Sequence, residues 1–124
     1  MKSIFIVAIS IIIGGAIFIL SGCVPKSGSY GEQLSLSSVT RVSDIFKSPL
    51  SFKGKAVRLE GTVKEECPTG GWFMFKDDTG VIFVNLHPSE FAIPQASGSK
   101  AAVEGVVITE GPQPSIIGKG VKIK

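Results

Sequence analysis

From Val57 to Lys64 the chain alternates apolar or small residues with polar ones, in the order VRLEGTVK. A period of two is typical of a β-strand with one face buried and the other in water. Two further strands are predicted at 72–76 and 81–86, because aromatic and β-branched residues dominate both. Asp78, Thr79 and Gly80 supply turn chemistry between them. The pattern therefore predicts a three-stranded antiparallel meander.

Further elements are predicted on both sides of this meander. Ser43 followed by Asp44 is an N-cap signal, and the one or two helical turns after it are expected to end at Pro49. Beyond the meander, the pattern predicts a fourth strand over 100–109 and a fifth over 115–123. Leu34, Leu36 and Val39 would suit a short extra strand. The expected order is thus one short helix and then five main strands.

The first and fourth strands share a local pattern. GKAVRLEGTV, from Gly54, and GSKAAVEGVV, from Gly98, align without a gap and both contain a Glu-Gly pair. Strongly bent strands that close a small barrel favour glycine at the bend, here Gly61 and Gly105. The sequence therefore predicts an all-β fold, a five-stranded OB-fold barrel with a short N-terminal helix.

The N-terminal residues form a separate segment. A basic start at Lys2 precedes an apolar run that ends in Leu20-Ser21-Gly22-Cys23, as expected for an export signal. Those four residues resemble the lipobox of bacterial lipoproteins, which implies cleavage before Cys23 and acylation of its thiol and new amino group. The alternative is an uncleaved membrane-spanning anchor, since the run up to Val24 is long enough to cross about 30 Å of bilayer. Both alternatives place the remaining chain outside the cytoplasm, because Lys2 favours an inside N-terminus.

A chain of 124 residues has room for one domain. We predict a signal peptide over 1–22, a flexible tether rich in Ser and Gly over 23–40, and the OB-fold domain over 41–124. The domain is expected to be anchored by lipid to the cell membrane or the outer membrane. Val24 follows Cys23 where Asp would be the usual inner-membrane retention signal, so in a two-membrane cell outer-membrane sorting is implied.

The net charge of the chain is small. The formal net charge of +3 becomes +2 when Lys2 is removed, since 12 basic residues then face 10 acidic ones. The basic residues are scattered along the sequence and do not form the concentrated patch expected of a phosphate-backbone binder. Nucleic-acid binding would therefore follow from fold analogy alone, and we do not expect it.

Residues 42–107 resemble the small exported OB-fold proteins related to the tRNA anticodon-like group. The family pattern runs from a short helix through a glycine-containing strand, an aromatic strand and an Asp-x-x-Gly turn to a Val-x-Gly-x-Val strand. The matching residues are Gly54 to Val57, Gly61 to Val63, Trp72, Asp77, Gly80, Pro94 and Val103 to Val107. The resemblance implies a fold and leaves the ligand open, because this fold hosts many activities.

One face of the meander is a candidate binding surface. The register that points Phe73, Phe75, Ile82 and Val84 inward leaves another set of residues outward. The candidate ligand-binding residues on that outward face are Trp72, Met74, Phe83, Arg58, Lys64 and Lys76. Outward aromatic residues on these strands of OB-folds stack against ligands. The alternative is that residues 34–46 fold over this face and cover it.

Cys67 and His87 are the candidate metal ligands, because both lie where predicted strands meet one rim of the barrel. A thiolate and an imidazole make half a zinc site, which Glu65, Glu66 or Glu90 would have to complete. Some relatives have Cys-x-x-x-Cys-Trp here, but the second Cys position is Gly71 in this chain. The membrane-tethered haem chaperone of cytochrome c maturation is also an OB-fold, which makes a metal or haem accessory role an alternative function. That family attaches haem through a His beyond the barrel, which this sequence lacks.

Phosphate loops, HExxH, paired CxxC motifs and GxSxG elbows are absent from the sequence. We therefore expect a non-enzymatic binding or accessory module without a cofactor. Its expected partners are the membrane, through the N-terminal lipid, and a protein or small ligand.

Overall fold

The structure is a computed structural model that describes residues 27–124. The predicted signal peptide over 1–22 and the predicted lipidation site at Cys23 lie outside the described residues. No helix within 27–124 combines the length and apolar character needed to cross a bilayer. The elements are β1 (Gly28–Gly31), α1 (Val42–Lys47), α2 (Pro49–Phe52), β2 (Ala56–Glu66), β3 (Trp72–Lys76), β4 (Val81–Asn85), a 3-10 turn (His87–Ser89), β5 (Lys100–Ile108) and β6 (Ser115–Ile123).

Five of the strands close into a barrel. β2 pairs with β3 and β3 with β4, both antiparallel, and β4 then meets β6 in parallel. β6 pairs antiparallel with β5, which returns to β2 and completes the circuit. The predicted all-β five-stranded barrel is confirmed, with two short helices instead of one.

The barrel interior is filled by the residues that alternate inward along these strands. Phe73 and Phe75 of β3 are fully buried, and their rings meet edge to face with centroids 6.0 Å apart. Ile82 and Val84 of β4 join them, as the period-two pattern predicts. The side chains of the buried hydrophobic core come from positions distributed along the chain from Val42 to Ile123. Residues 27–124 therefore share one hydrophobic core.

Helix α1 packs Val42 and Ile45 over one end of the barrel. Its N-cap residue is Arg41, which makes no side-chain capping bond, so the predicted N-cap at Ser43 is wrong. The orphan N–H groups are satisfied by the β3–β4 turn. Val42 N–H donates to Asp77 Oδ2 at 2.9 Å, and Ser43 N–H donates to Thr79 Oγ1 at 3.0 Å.

The folded unit begins earlier than the predicted boundary at residue 41. Gly28–Gly31 form β1, which pairs antiparallel with the end of β6, from Gly28 opposite Ile123 to Gly31 opposite Gly120. The predicted flexible tether over 23–40 therefore overlaps the folded unit, since Gly28–Gly31 form a paired strand. The extra strand lies at β1 and not at the predicted Leu34, Leu36 and Val39. β1 forms because the end of β6 has a free edge there, and backbone pairing satisfies it.

Glycine is required where β2 and β5 bend. A Cβ at Gly61 would overlap the carbonyl oxygen of Lys76, and one at Gly105 would overlap that of Ile117. The ladder between β5 and β6 shifts register beside Gly105, as expected for a bulge in a closing strand. The sequence predicts both glycines at bends of closing strands, and the structure adds that neighbouring backbone leaves no room for a Cβ at either position.

Candidate functional site

Residues 32–40, here called the strap, connect β1 to α1 across the outside of the barrel. Glu32 N–H donates to the carbonyl of Lys119 at 2.8 Å, and Thr40 N–H donates to that of Arg58 at 2.8 Å. Between them, Glu104 of β5 accepts hydrogen bonds from the backbone N–H groups of Ser35, at 3.0 Å, and Leu36, at 2.7 Å. The strap therefore lies on β6, β5 and β2.

Glu104 is the central contact of the strap. Its side chain points outward from β5, yet the residue is only 8% exposed because the strap covers it. Arg58 Nη1 lies 3.6 Å from Glu104 Oε2 and donates a hydrogen bond to the Leu36 carbonyl at 3.1 Å. A second ion pair joins Arg58 to Glu60 at 3.0 Å. Arg58, a predicted ligand-binding residue, thus holds the strap on a different side of the barrel from Trp72.

The aromatic face consists of Trp72 and Met74 of β3 with Val81 and Phe83 of β4, all half-buried. Met74 pairs directly with Phe83, and the ring centroids of Trp72 and Phe83 lie 5.6 Å apart with a 39° angle between the planes. At the far end of the face, Phe46 of α1 lines a shallow depression together with Val81. The predicted covering segment was 34–46. Its first part, as far as Thr40, makes its hydrogen bonds to β5 and β2, while its last residue, Phe46, lies beside Val81 at one end of the face.

A bulge changes the charge beside this face. Val63 pairs with Phe75, but Glu65 pairs with Met74, so the intervening Lys64 is an extra residue in β2. Simple alternation placed Lys64 beside Met74, whereas the structure places the exposed carboxylate-bearing Glu65 there. Lys76 pairs with Val81 and lies at the opposite end of the hairpin from Trp72. Of the three predicted basic neighbours, none is the cross-strand partner of Trp72, Met74 or Phe83.

Cys67 lies in the tight loop between β2 and β3. The Gly70 N–H donates to the Cys67 carbonyl at 2.8 Å, which closes the turn, and Cys67 Sγ lies 3.1 Å from the Thr69 hydroxyl. The Thr69 hydroxyl lowers the pKa of the Cys67 thiol, and the backbone N–H groups of Thr69, Gly71 and Gly70 add to this effect. The loop thus favours the thiolate, the form that reacts and binds metals.

The structure places His87 against the same loop. A Cβ at Gly71 would lie 2.5 Å from Cε1 and 2.6 Å from Nε2 of the imidazole, so the ring occupies the space of a larger residue. The imidazole of His87 therefore takes up the space that a side chain at position 71 would need. A shallow depression of about 420 Å³ adjoins the ring and is also lined by Thr69, Glu90 and Phe91.

The predicted metal site lacks a third ligand in this arrangement. Glu66, one of the candidates to complete it, accepts hydrogen bonds from the Ala96 N–H at 2.8 and 2.9 Å. Among residues 27–124, no group of three or more His, Cys, Asp or Glu side chains is placed to hold a metal ion. The metal or haem role of Cys67 and His87 stays a prediction from the sequence.

Sequence reasoning missed three residues that organise the surface, namely Glu104, Glu65 and Asn85. Alternation along β5 indicates that the Glu104 side chain points outward. It does not indicate the contact with the strap, because Ser35 and Leu36 are 69 and 68 residues away. Glu65 faces outward only because of the bulge. Asn85 pairs with Trp72, and its Oδ1 accepts the His87 N–H at 3.1 Å, which links the aromatic face to the His87 turn.

Comparisons with known proteins bear on the fold. The chain resembles the structure of the hypothetical protein ygiW from E. coli, with a TM-score of 0.53 and 20% sequence identity over 71% of this chain and 91% of that one. No protein-family model matches the chain, and no curated protein matches it. The likeness to ygiW supports the five-stranded OB-like barrel described above.

Proposed function

We propose that this protein is a lipid-anchored, extracytoplasmic binding module that holds a partner or small ligand on the aromatic face. The observation that carries the proposal is the path of the strap. Residues 32–40 bind β6, β5 and β2, while Trp72 and Phe83 stay half-buried and partly open to solvent on β3 and β4. Soluble domains seldom leave clustered apolar side chains at the surface without a binding role.

The chemistry of the face favours a ligand with stacking surfaces and few negative charges. Trp72 and Phe83 offer tilted rings on which a planar group or a sugar can stack. The polar cross-strand partner of Trp72 is Asn85, an amide, and that of Met74 is Glu65, an acceptor carboxylate. A phosphate backbone would meet Glu65 unfavourably, so a sugar, an aromatic group or an extended peptide fits better.

The anchor is supported by the sequence Leu20-Ser21-Gly22-Cys23. The lipid on Cys23 would hold the barrel near the bilayer. Binding of a partner or small ligand would then be the activity of the protein. We propose no catalytic step, in keeping with the lack of motif-defined nucleophile, phosphate and metal-hydrolase patterns in the sequence.

Purification of the full chain from its native membranes, followed by mass spectrometry, tests this proposal. We expect a diacylated or triacylated Cys23 and a co-purifying molecule that is lost from Trp72→Ala and Phe83→Ala variants while their thermal unfolding stays close to that of the native protein. The matched control is Leu50→Ala, since Leu50 is 78% exposed on α2. An unmodified Cys23, or equal retention of the molecule by all variants, would contradict the proposal.

A further inference from the structure

Strand pairing brings together lysines that lie far apart in the sequence. Thr62 of β2 pairs with Lys76 of β3 on one side and with Lys100 of β5 on the other. Lys124 follows β6, and its N–H donates to the Lys100 carbonyl at 2.8 Å. Cross-strand partners point to the same face of a sheet, and Lys76, Lys100 and Lys124 are all exposed. We call these three residues the lysine row.

The lysine row carries an excess of positive charge. Like charges on directly opposite residues destabilise a sheet, so the side-chain charges of Lys100 and Lys124 oppose the backbone pairing that places them together. The nearest carboxylate in the neighbouring rung is Glu60, which already pairs with Arg58 at 3.0 Å. In that rung Lys122 is exposed and adds another positive charge.

The surface between these side chains can receive an anionic group. Lys100 and Lys124 line a shallow depression of about 310 Å³, together with Thr62 and Glu60. Ammonium groups donate to phosphate oxygens, and the Thr62 hydroxyl can do the same. The depression is therefore suited to a phosphate headgroup at its lysine side.

The chain also enters the barrel at this place. Gly28 pairs with Ile123, so β1 begins beside Lys124. Cys23 precedes Gly28 by five residues, and five residues of extended chain span at most about 17 Å. A lipid on Cys23 would hold Lys124, at the near end of the lysine row, within about that distance of the bilayer surface. At physiological salt, charges act over about 8 Å, so a short tether brings the row into range.

We propose that the lysine row docks the barrel on the anionic headgroups of the bilayer. This inference rests on the proposed lipid anchor at Cys23. The anchor fixes the distance, and the row fixes which side of the barrel faces the membrane. Each lysine near an anionic surface strengthens binding by about fivefold, so the row converts a single lipid attachment into an oriented one.

Lysine footprinting of the lipidated full chain tests the orientation. The protein is reconstituted into vesicles of phosphatidylcholine alone or of phosphatidylcholine mixed with phosphatidylglycerol, and amine acetylation is followed by mass spectrometry. We expect Lys100 and Lys124 to react more slowly in the anionic vesicles, and this protection to vanish at high salt. Lys53 and Lys55, exposed at the junction of α2 and β2, serve as internal controls. Equal reactivity of all four in both vesicles would overturn the inference.

A second measurement separates the row from the anchor. The unlipidated chain from Val24, which retains the complete core, is partitioned onto the same anionic vesicles. The Lys100→Gln/Lys124→Gln variant should bind about 25-fold less tightly, at about fivefold for each lysine, whereas Lys53→Gln/Lys55→Gln should bind like the native chain. Equal loss in both variants, or binding of an oligonucleotide in preference to the vesicles, would overturn the inference. An unmodified Cys23 in native membranes would instead contradict the anchor.

Discussion

Asp77 joins the β3–β4 turn to helix α1. Its Oδ1 accepts hydrogen bonds from the Thr79 N–H, the Thr79 hydroxyl and the Gly80 N–H, while Oδ2 accepts one from Val42. Partial burial alone would raise the pKa of this carboxyl group, but the hydrogen bonds from Thr79, Val42 and Gly80 together lower it. A residue that the sequence predicts only as a turn former therefore also caps a helix.

Replacing Asp77 tests this role. Because its pKa is lowered in the folded state, its contribution to stability is present above the unfolded pKa of about 3.9 and is lost as pH falls through the folded value. We expect Asp77→Asn to lower the free energy of unfolding at neutral pH by about 1–2 kcal/mol, and the difference to disappear in acid. Urea unfolding at several pH values checks this, with the exposed neighbour Asp78→Asn as control. A pH-independent difference would contradict the assignment.

The Cys67 thiol gives a second test at the scale of one residue. Its lowered pKa comes first from the Thr69 hydroxyl, so Thr69→Val should raise that pKa and slow alkylation by iodoacetamide at neutral pH. Thr69→Ser, which keeps the hydroxyl, should behave like the native protein. The pH profile of the alkylation rate distinguishes the two variants, and superimposed profiles for Val and Ser would show that the hydroxyl has no effect.

Residue detail was the least predictable part of the aromatic face. The inward phase of Phe73, Phe75, Ile82 and Val84 follows directly from alternation, and the structure buries all four. The exchange of Lys64 for Glu65 beside Met74 does not follow, because it depends on a bulge within a regular-looking strand. A bulge is set by how the strand must curve to close the barrel, which local sequence does not reveal.

Among the elements, the strap depends most on a single side chain. Glu104 binds the N–H groups of Ser35 and Leu36, and Arg58 binds Glu104 and the Leu36 carbonyl. Hydrogen bonds to a charged group contribute about 1.5–3 kcal/mol. The barrel core lies beneath this contact and does not include it. Loss of Glu104 should therefore release the strap and leave the barrel closed.

We expect Glu104→Ala to speed hydrogen exchange at Ser35 and Leu36 by about tenfold or more, in line with the loss of charged hydrogen bonds. Amides in the middle of β3 should keep their protection. Glu110→Ala, at an exposed position in the loop after β5, provides the matched control. Unchanged exchange in the strap would mean that other contacts hold it.

Element boundaries show what local pattern can and cannot predict. The last strand is found over Ser115–Ile123, as predicted, because β-branched residues lie on both sides of its two glycines, at 116, 117, 121 and 123. β1, with the sequence GSYG, has no such signal and forms only because β6 offers it an edge. The helix was predicted, but its capping residues were not, since they come from a turn 35 residues along the chain.

At the scale of the whole molecule, closure of the barrel depends on close packing of β5 against β6. A Cβ at Gly105 would lie 2.7 Å from Ile116 Cγ2 and 3.0 Å from the Gly118 Cα. We expect Gly105→Ala to lower the free energy of unfolding by about 1–3 kcal/mol through overpacking. Thermal or urea unfolding measures this. The control is Gly111→Ala, where the nearest atom, the Gln113 carbonyl oxygen, is 3.9 Å away, and equal stability of the two variants would contradict the close approach.

The lysine row also belongs to this scale, since no short sequence window contains it. Lys76, Lys100 and Lys124 lie 24 residues apart in succession, and only the successive pairing of β3, β2, β5 and β6 brings them into one row. Charge counted along the chain is mild, whereas charge on this side of the folded barrel is concentrated. The hydrophobic and polar pattern was therefore sufficient to predict the fold class. The surfaces proposed to face a membrane or a ligand could be identified only from the strand register.

The parallel seam between β4 and β6 consists of two residue pairs, Val84 with Ile116 and Asn85 with Ile117, whereas β5 and β6 share eight. If thermal fluctuations open the barrel, the β4–β6 ladder should separate first because it is the shortest. The β3–β4 hairpin would then swing outward about its attachment to β2, carrying Trp72 and Phe83 together as one rigid flap. Such an opening would move the two rings of the aromatic face as a pair and leave the pairing of β2, β5 and β6 in place.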